Sequence, residues 1–201
     1  LDVTPLEVTL GNVVDLSGGI SPDISDARGQ GVNFSGTIKP SGGSTVPSAT
    51  TDGSSEYVVN DFLPNRGGTW QFEASWAGNG SLGAGTSAKI PVTVSPVTPT
   101  LEVALDTQTA GVGFTDQTVT VTVSAGLPVA LNDVLDGLSI KLNIREHDGT
   151  SRGPLFATTD SSGVAVFDPS AFAGAGIVFG EKADESPAPG KREFLVEFFG
   201  D

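Results

Sequence analysis

Apolar and polar residues alternate over many short stretches of this chain, and this alternation restricts the fold more than any other feature. In residues 69–77 the apolar Trp70, Phe72, Ala74 and Trp76 are separated by polar residues. Because successive side chains of a β-strand point to opposite faces of a sheet, this stretch predicts a strand with one buried face. The same pattern predicts strands at 32–38, 119–123, 138–144 and 194–198, and weaker ones at 7–10, 13–20, 56–62, 90–94, 101–105 and 164–167.

Tight turns separate the predicted strands. Turn-forming residues occur at Ser41-Gly42-Gly43, Asp52-Gly53, residues 65–68 and Asp148-Gly149. The chain contains 27 Gly and 13 Pro, but 37% of its residues are hydrophobic and only 17% are charged, so it is a folded chain with many turns rather than a disordered one. Many short strands joined by such turns predict an all-β sandwich or barrel.

Residues 95–99, Ser-Pro-Val-Thr-Pro, interrupt the alternation. Two prolines that flank β-branched residues favour an extended and rather stiff connection. The sequence repeats itself on either side of it: residues 50–54 lead to 72–79 in the first half, and residues 158–163 lead to 194–201 in the second. Because both halves show the same order of motifs, we predict two copies of one fold.

The predicted domains are 1–95 and 96–201, and they differ in two ways. The second copy has more residues between matching positions, which we assign to an insertion at about 168–192. The first copy continues into a strand at 90–94, whereas the second reaches Asp201 without its final strand. A sandwich that lacks its closing strand leaves a sheet edge unpaired and part of its core uncovered. We therefore expect the natural protein to continue beyond Asp201.

A resemblance to a known family rests mainly on the first half. Residues 68–79, followed by Ala84-Gly85-Thr86-Ser87 and a last strand, resemble the bacterial immunoglobulin-like (Big-type) repeat domains of large surface and secreted proteins. Residues 17–22 and 51–53 are similar to the second-strand and mid-domain turn motifs of that family, and residues 159–165 give a weaker match in the second half. The resemblance implies two tandem immunoglobulin-like β-sandwich domains. Because family members serve as adhesin stalks, as spacers beside catalytic domains and as binding modules, it does not identify a ligand.

Charge and composition exclude several classes of protein. The formal net charge of −14 and the pI near 4.2 oppose nucleic acid binding, because no basic surface is available to neutralise phosphates. The absence of cysteine excludes disulfides, thiolate metal sites and cysteine nucleophiles. The sequence shows no signal peptide and no apolar stretch near the roughly 20 residues that span a bilayer. We predict a processed segment of a bacterial extracellular or cell-surface protein.

Residues with catalytic or metal-binding chemistry are few. His147 is the single histidine and precedes the hairpin signal Asp148-Gly149, so we assign it to a turn rather than to a catalytic triad. No pair of carboxylates stands in a context typical of glycoside hydrolysis. We therefore predict no enzyme activity, no catalytic residues, no dedicated metal site and no cofactor. Calcium is the ion that the acidic loops could hold, with ligands from Asp23 and Asp26, from Asp133 and Asp136, or from Glu181, Asp184 and Glu185.

Two places are candidates for an interaction surface. Phe172, Ile177 and Phe179 lie in the predicted insertion, and long ordered segments in compact domains are often functional. Alternatively, these residues fold back and cover the open end of the sandwich. Trp76 is a candidate for stacking on a sugar ring, although the alternation places it on the core face with Trp70. Both candidates therefore depend on how much of each side chain the fold leaves exposed.

These features predict a non-enzymatic module pair that acts as an adhesin stalk or spacer, with other domains of the same polypeptide as its partners. The acidic composition favours solubility. One alternative is an accessory or carbohydrate-binding module of a secreted enzyme, which would bind a glycan. A second is a protein-interaction module that recruits a strand from a surface protein at the open sheet edge.

Overall fold

A computed structural model of the chain describes residues 1–39, 45–106, 114–146, 148–179 and 190–199. The chain divides into two compact units, Leu1–Val97 and Thr98–Asp201. Strands dominate the described part of both units, which confirms the predicted all-β class.

The first unit begins with two short strands and ends with a strand at its last residues. Its strands are β1 (Asp2–Thr4), β2 (Glu7–Thr9), β3 (Val14–Gly19), β4 (Gly31–Lys39), β5 (Ala49–Thr50), β6 (Glu56–Phe62), β7 (Gly68–Trp76), β8 (Gly85–Thr86) and β9 (Ile90–Ser95). A 3₁₀ turn, Ser25–Ala27, lies between β3 and β4.

Two sheets form the first unit. One sheet has the order β1-β3-β6, and the other has the order β2-β9-β7-β4-β5, with β8 paired to β7. Strands β3, β4, β6 and β7 alternate between the sheets in chain order, which is the connectivity of an immunoglobulin-like sandwich. The core lies between the sheets, where Trp70 and Phe72 of β7 are completely buried. The inward face of β7 is therefore the one that its alternation predicts.

The second unit repeats this connectivity, with fewer strands among its described residues. Its elements are β10 (Thr100–Leu105), β11 (Val119–Ser124), a 3₁₀ segment (Val129–Leu135), β12 (Ser139–Arg145), β13 (Ser151–Thr158), β14 (Val164–Phe167), helix α1 (Pro169–Gly174) and β15 (Glu193–Phe198). The sheets have the orders β10-β11-β14 and β13-β12-β15. The alternating valines of β11 and the aliphatic residues of β12 face each other in a second core.

Both halves of the repeat contain a Thr-Asp motif, Thr51-Asp52 and Thr159-Asp160, and it has the same geometry in both units. The Asp52 carboxylate accepts hydrogen bonds from the amides of Ser54 (2.7 Å) and Glu56 (3.0 Å). The Asp160 carboxylate accepts them from Ser162 (2.8 Å) and Val164 (3.0 Å). The sequence repeat therefore corresponds to a repeated turn that introduces β6 in one unit and β14 in the other.

Four strands were not predicted from the sequence: β1, β5, β8 and β13. The first three are two or three residues long, too short to show a periodic pattern. Strand β13 has eight residues, but Gly153-Pro154 interrupts its sequence pattern. Because proline cannot donate to a ladder, it is tolerated at the edge of a sheet, and β13 is an edge strand in the part of the chain that the structure describes.

Candidate interaction edge

Strand β15 lies at the edge of its sheet. It pairs antiparallel with β12, from Arg145 opposite Glu193 to Ile140 opposite Phe198. Within the described residues no strand pairs with its other side. We refer to this side of β15 as the β15 edge. An unpaired edge of this kind presents main-chain donors and acceptors to an incoming strand.

The inward face of β15 is only half-buried. Phe194, Val196 and Phe198 pack against the second core but remain partly exposed. Leu195 on the outward face is 44% exposed, and Phe199, immediately after the strand, is 55% exposed. Apolar side chains on both faces of one edge strand form a surface that a second strand would cover.

The first unit shows how the equivalent strand is covered. Strand β7 pairs with β4 as β15 pairs with β12, and Phe72 holds the position of Phe194. On its other side β7 pairs with β9, with Trp70 opposite Val92 and Phe72 opposite Ile90. The β7 side chains that face the core are all buried, unlike those of β15. The difference between the two strands therefore follows from the presence of β9.

The opposite edge of the same sheet carries features that hinder strand pairing. Strand β13 contains Pro154, and its register with β12 shifts between Leu142 and Ile144. Prolines and bulges are common means by which proteins protect an edge. The register of β15 on β12 continues without a shift, and its sequence, Glu-Phe-Leu-Val-Glu-Phe, contains no proline or lysine. Of the two edges, β15 is the one suited to accept a strand.

A buried ion cluster fixes the start of β15. Arg192 Nε lies 2.5 Å from Glu146 Oε2, and Arg152 Nε lies 3.0 Å from Glu146 Oε1. The Arg152 contact is an ion pair without hydrogen-bond geometry, and Arg192 Nη2 is buried without a hydrogen-bond partner. The Arg192 guanidinium also lies 5.4 Å from the centre of the Phe179 ring. These contacts join the ends of β12 and β15, so β15 is held in place from one end.

The structure places the three predicted insertion residues in the core. Phe172, Ile177 and Phe179 are 1%, 4% and 5% exposed. The Phe172 and Phe179 rings contact each other edge to face, with centroids 5.3 Å apart. In this arrangement the three side chains contribute to packing, as in the alternative in which the segment folds back over the sandwich. The exposed apolar surface of the second unit includes Leu195 and Phe199 instead.

An aspartate at the start of α1 directs this segment inward. The Asp168 carboxylate accepts hydrogen bonds from the Ser170 hydroxyl (2.6 Å) and the Ala171 amide (2.9 Å). These bonds lower the pKa of Asp168, the Ser170 hydroxyl having the largest effect. Pro169 follows at the first helical position, where its missing N–H costs nothing. Asp168-Pro169 was therefore a sequence signal for a helix start that would have placed Phe172 on a core-facing turn.

Trp76 is 9% exposed and lies on the core side of β7. It borders a pocket of about 340 Å³ that Tyr57, Ile20 and residues 83–87 also line. Burial raises the pKa of Tyr57. Because most of the Trp76 ring is covered, little of its face is available for stacking on a sugar.

Among the acidic residues named as calcium candidates, Asp23 has other contacts, and three lie outside the described residues. Asp23 accepts a hydrogen bond from the Ser55 hydroxyl (2.7 Å) and lies 3.3 Å from Arg28 Nε, and these two contacts, the Ser55 one first, lower its pKa. Glu181, Asp184, Glu185 and His147 lie outside the described residues. Within the described part of the chain, no three His, Asp or Glu residues form a group that could hold a metal. None of the helices described there has the length and apolar character to cross a membrane.

Comparison with known proteins supports the fold. The chain is similar to the crystal structure of a tetra-tandem repeat in the extending region of a large adhesion protein, with 15% identity and a TM-score of 0.51, over 94% of this chain and 46% of that one. The chain thus spans about half the length of that structure. The D0-D1 domain of intimin matches 82% of this chain and 80% of its own length, with 18% identity and a TM-score of 0.35. No family model and no curated protein matches the sequence. Strand order and this likeness together establish an immunoglobulin-like β-sandwich fold.

Proposed function

We propose that the chain is a non-enzymatic, force-bearing spacer segment of an extracellular or cell-surface adhesive protein. In this proposal its two compact units are immunoglobulin-like modules, the second with an insertion at about 168–192. The similar repeat structure comes from the extending region of a large adhesion protein, which supports a spacer function here.

The pairing of β2 with β9 is the observation that supports the proposal most strongly. The two strands are parallel, with Glu7 opposite Thr93 and Thr9 opposite Ser95. The Thr93 amide donates to the Leu6 carbonyl, and the Leu10 amide donates to the Ser95 carbonyl; each N···O distance is 2.9 Å. Strand β2 lies near the start of the first unit and β9 near its end. Tension applied to the two ends of the unit therefore pulls these strands in opposite directions along their length.

The direction of pulling decides how such a pair resists force. In a parallel terminal pair the hydrogen bonds are loaded together, whereas an antiparallel terminal pair would open from one end, one bond at a time. Forced unfolding depends on the rate of crossing the unfolding barrier, and loading several bonds at once raises that barrier. The first unit is therefore built to resist tension, which is what a spacer in an adhesive fibre requires.

Single-molecule force spectroscopy on the full chain tests the proposal. Thr93→Pro removes the N–H that bonds to Leu6, while the neighbouring Val92 and Val94, which alternate to the β7 side, keep theirs. Thr93→Ala is the matched control, because it keeps the N–H and changes an exposed side chain. The two units give two unfolding events. We expect Thr93→Pro to lower the unfolding force of one event and Thr93→Ala to change the force of neither event. Equal effects of the two variants, or none, would count against a force-bearing role.

A glycan-binding module is the main rival function. It requires an aromatic surface open to sugar rings, and Trp76 is largely covered. A glycan panel screened with the full chain separates the two functions. Saturable binding of any glycan would favour the rival, and its absence would leave the spacer function as the better account.

A further inference from the structure

We propose that Asn79 is a site of spontaneous deamidation, and that the carboxylate formed there releases residues 77–84 from the 3₁₀ turn Ser25–Ala27. Residues 77–84 connect β7 to β8, and we refer to them as the Asn79 loop. The proposal adds a modification site to the first unit and does not depend on the spacer function. Its outcome is a one-way change in the surface beside Trp76.

The side-chain amide of Asn79 holds the loop in two directions. Its Oδ1 accepts hydrogen bonds from the amides of Ser81 and Leu82, each with an N···O distance of 2.9 Å. Its Nδ2 donates to the Asp26 carbonyl over 2.7 Å. Two donors face the oxygen and one acceptor faces the nitrogen, so these three bonds define the orientation of the amide. A carboxylate can accept the first two bonds but has no hydrogen to donate in the third.

The acceptor of the third bond lies on a fixed turn. The Asp26 carbonyl belongs to the 3₁₀ turn, in which Ala27 is completely buried. The Thr51 hydroxyl donates to the Ala27 carbonyl over 2.7 Å and holds the turn in place. A carboxylate oxygen in the position of Nδ2 would be repelled by the Asp26 carbonyl oxygen, and the carboxylate of Asp26 adds a like charge to the same turn. The Asn79 loop, rather than the turn, would therefore move.

The residues around Asn79 favour its deamidation. Asn79 is the one asparagine in the sequence that is followed by glycine. Gly80 has no side chain to shield its main-chain nitrogen, and a Cβ built there has no atom within 4 Å beyond its chain neighbours. Both residues are exposed, so water reaches them. At the other asparagines the side chain of the next residue hinders attack by the main-chain nitrogen.

The reaction needs water and no other reactant. The Gly80 nitrogen attacks Cγ of Asn79 and forms a C–N bond, while Nδ2 leaves as ammonia with the proton that the Gly80 nitrogen loses. Water then adds to one of the two carbonyl groups of the cyclic imide and opens the ring, which gives aspartate or isoaspartate. In total, one water is consumed and one ammonia is released.

Opening of the loop precedes the reaction and becomes permanent after it. The three hydrogen bonds hold the amide, so attack by Gly80 requires the amide to leave these partners first. Exposed loops with few buried contacts open locally at low free-energy cost. After deamidation the bond to Asp26 cannot reform at neutral pH, because the new carboxylate is ionised. Residues 83–85 line the pocket beside Trp76, so release of the loop uncovers this side chain.

Ageing of the full chain in mildly alkaline buffer, followed by peptide mapping with mass spectrometry, tests the first step. We expect aspartate and isoaspartate to accumulate at Asn79 before any other asparagine reacts. Gly80→Ala is the matched control, because the φ of Gly80 lies outside the left-handed region and the added methyl group meets open space. The methyl group hinders attack by the nitrogen, so this variant should lose most of the modification.

Asn79→Asp, a uniform form of one product, tests the second step. We expect amide hydrogen exchange in residues 77–84 to become about five- to tenfold faster, because the loop loses its bond to the turn. Acrylamide should quench Trp76 more strongly, while the completely buried Trp70 stays protected. Asn12→Asp is the matched control, since it adds the same charge at an exposed position of the same unit, and exchange in the Asn79 loop should stay within about twofold of the wild type.

Three results would overturn the proposal. Equal or no accumulation of the products at Asn79 in the wild type and Gly80→Ala would remove the modification site. Equal exchange of the Asn79 loop in Asn79→Asp and Asn12→Asp would show that the amide does not hold the loop. Faster exchange throughout the first unit in Asn79→Asp would show general destabilisation in place of local release. None of these results bears on the unfolding force of the first unit, so failure here is distinguishable from failure of the spacer function.

Discussion

Thr51 and Thr159 hold the same place in the two units, and each joins a 3₁₀ segment to the strand that follows it. The Thr51 hydroxyl donates to the Ala27 carbonyl (2.7 Å) and accepts from the Gln30 amide (2.8 Å). The Thr159 hydroxyl donates to the Leu135 carbonyl (2.5 Å) and accepts from the Leu138 amide (2.9 Å). Both threonines are buried. The repeated Thr-Asp motif therefore stabilises the connection into β4 and β12.

Thr159→Val should destabilise the second unit by about 1–3 kcal/mol, because it keeps the shape of the side chain but leaves Leu138 N–H and the Leu135 carbonyl without their partner. Thr158→Val is the matched control, since Thr158 is the exposed neighbour. Amide hydrogen exchange, read separately for peptides of each unit, gives the free energies of opening. Equal effects of the two substitutions would show that the buried hydroxyl does not stabilise the unit.

Gly163→Ala should destabilise the second unit more than Gly53→Ala destabilises the first. Both glycines lie in the turn that begins at the repeated aspartate, Asp160 or Asp52. Gly163 has a φ of +75°, and a Cβ there would lie 2.5 Å from the Val123 carbonyl oxygen. A left-handed conformation costs a residue with a Cβ about 1–2 kcal/mol, and the contact with the backbone adds to this. Around Gly53 there is no atom within 4 Å of the added Cβ. Denaturant melts of both variants provide the comparison, and equal midpoints would contradict it.

Most strands could be predicted because each buries one face. The period-two alternation in β7 and β11 determines which side chains enter the core, and the predicted ranges at 56–62 and 164–167 coincide with β6 and β14. Strand β13 escaped prediction because Gly153-Pro154 is acceptable only at an edge, and edge position is a property of the sheet. Local pattern therefore predicts strands well where the neighbours of a strand do not matter.

The candidate edge depends on such neighbours and was harder to predict. The alternation in β15 indicates a buried face, yet that face is half-exposed because its degree of burial depends on a strand on its other side. The pairing of Glu146 with Arg192 joins residues 46 positions apart, and neither residue stands in a recognisable motif. Comparison of the two halves of the sequence predicts an open edge, and this stays a prediction. It could not indicate which amides or side chains form that edge.

Acid should destabilise the first unit, and Asp52 should contribute to this. Hydrogen bonds from the Glu56 and Ser54 amides lower the pKa of Asp52. Because the folded pKa lies below the unfolded value of about 3.9, the stabilisation by the carboxylate is fully present above about pH 4 and is lost as the pH falls through the folded pKa. Asn at this position keeps an acceptor oxygen but does not titrate.

The comparison is therefore between the wild type and Asp52→Asn across the acid range. We expect the variant to be less stable at neutral pH and the difference to shrink on acidification. Tryptophan fluorescence provides the measurement, because Trp70 and Trp76 both lie in the first unit. A difference in unfolding free energy that stays constant with pH would show that the Asp52 charge has no part in acid unfolding.

Glu146→Gln should strongly destabilise the second unit and loosen the start of β15. The carboxylate of Glu146 is the shared counter-charge of Arg152 and Arg192, and the side chains of all three are largely buried. Removing one partner from a buried ion pair leaves charge without compensation and typically costs about 3–5 kcal/mol.

Glu197→Gln is the matched control on the same sheet, because Glu197 pairs with Lys141 at an exposed site and such pairs contribute at most about 1 kcal/mol. Hydrogen exchange at residues 193–198 distinguishes the two variants. Faster exchange of β15 in Glu146→Gln alone is expected, since β15 is anchored at that end by the ion cluster, and equal exchange in both variants would show that pairing with β12 is sufficient to hold the strand.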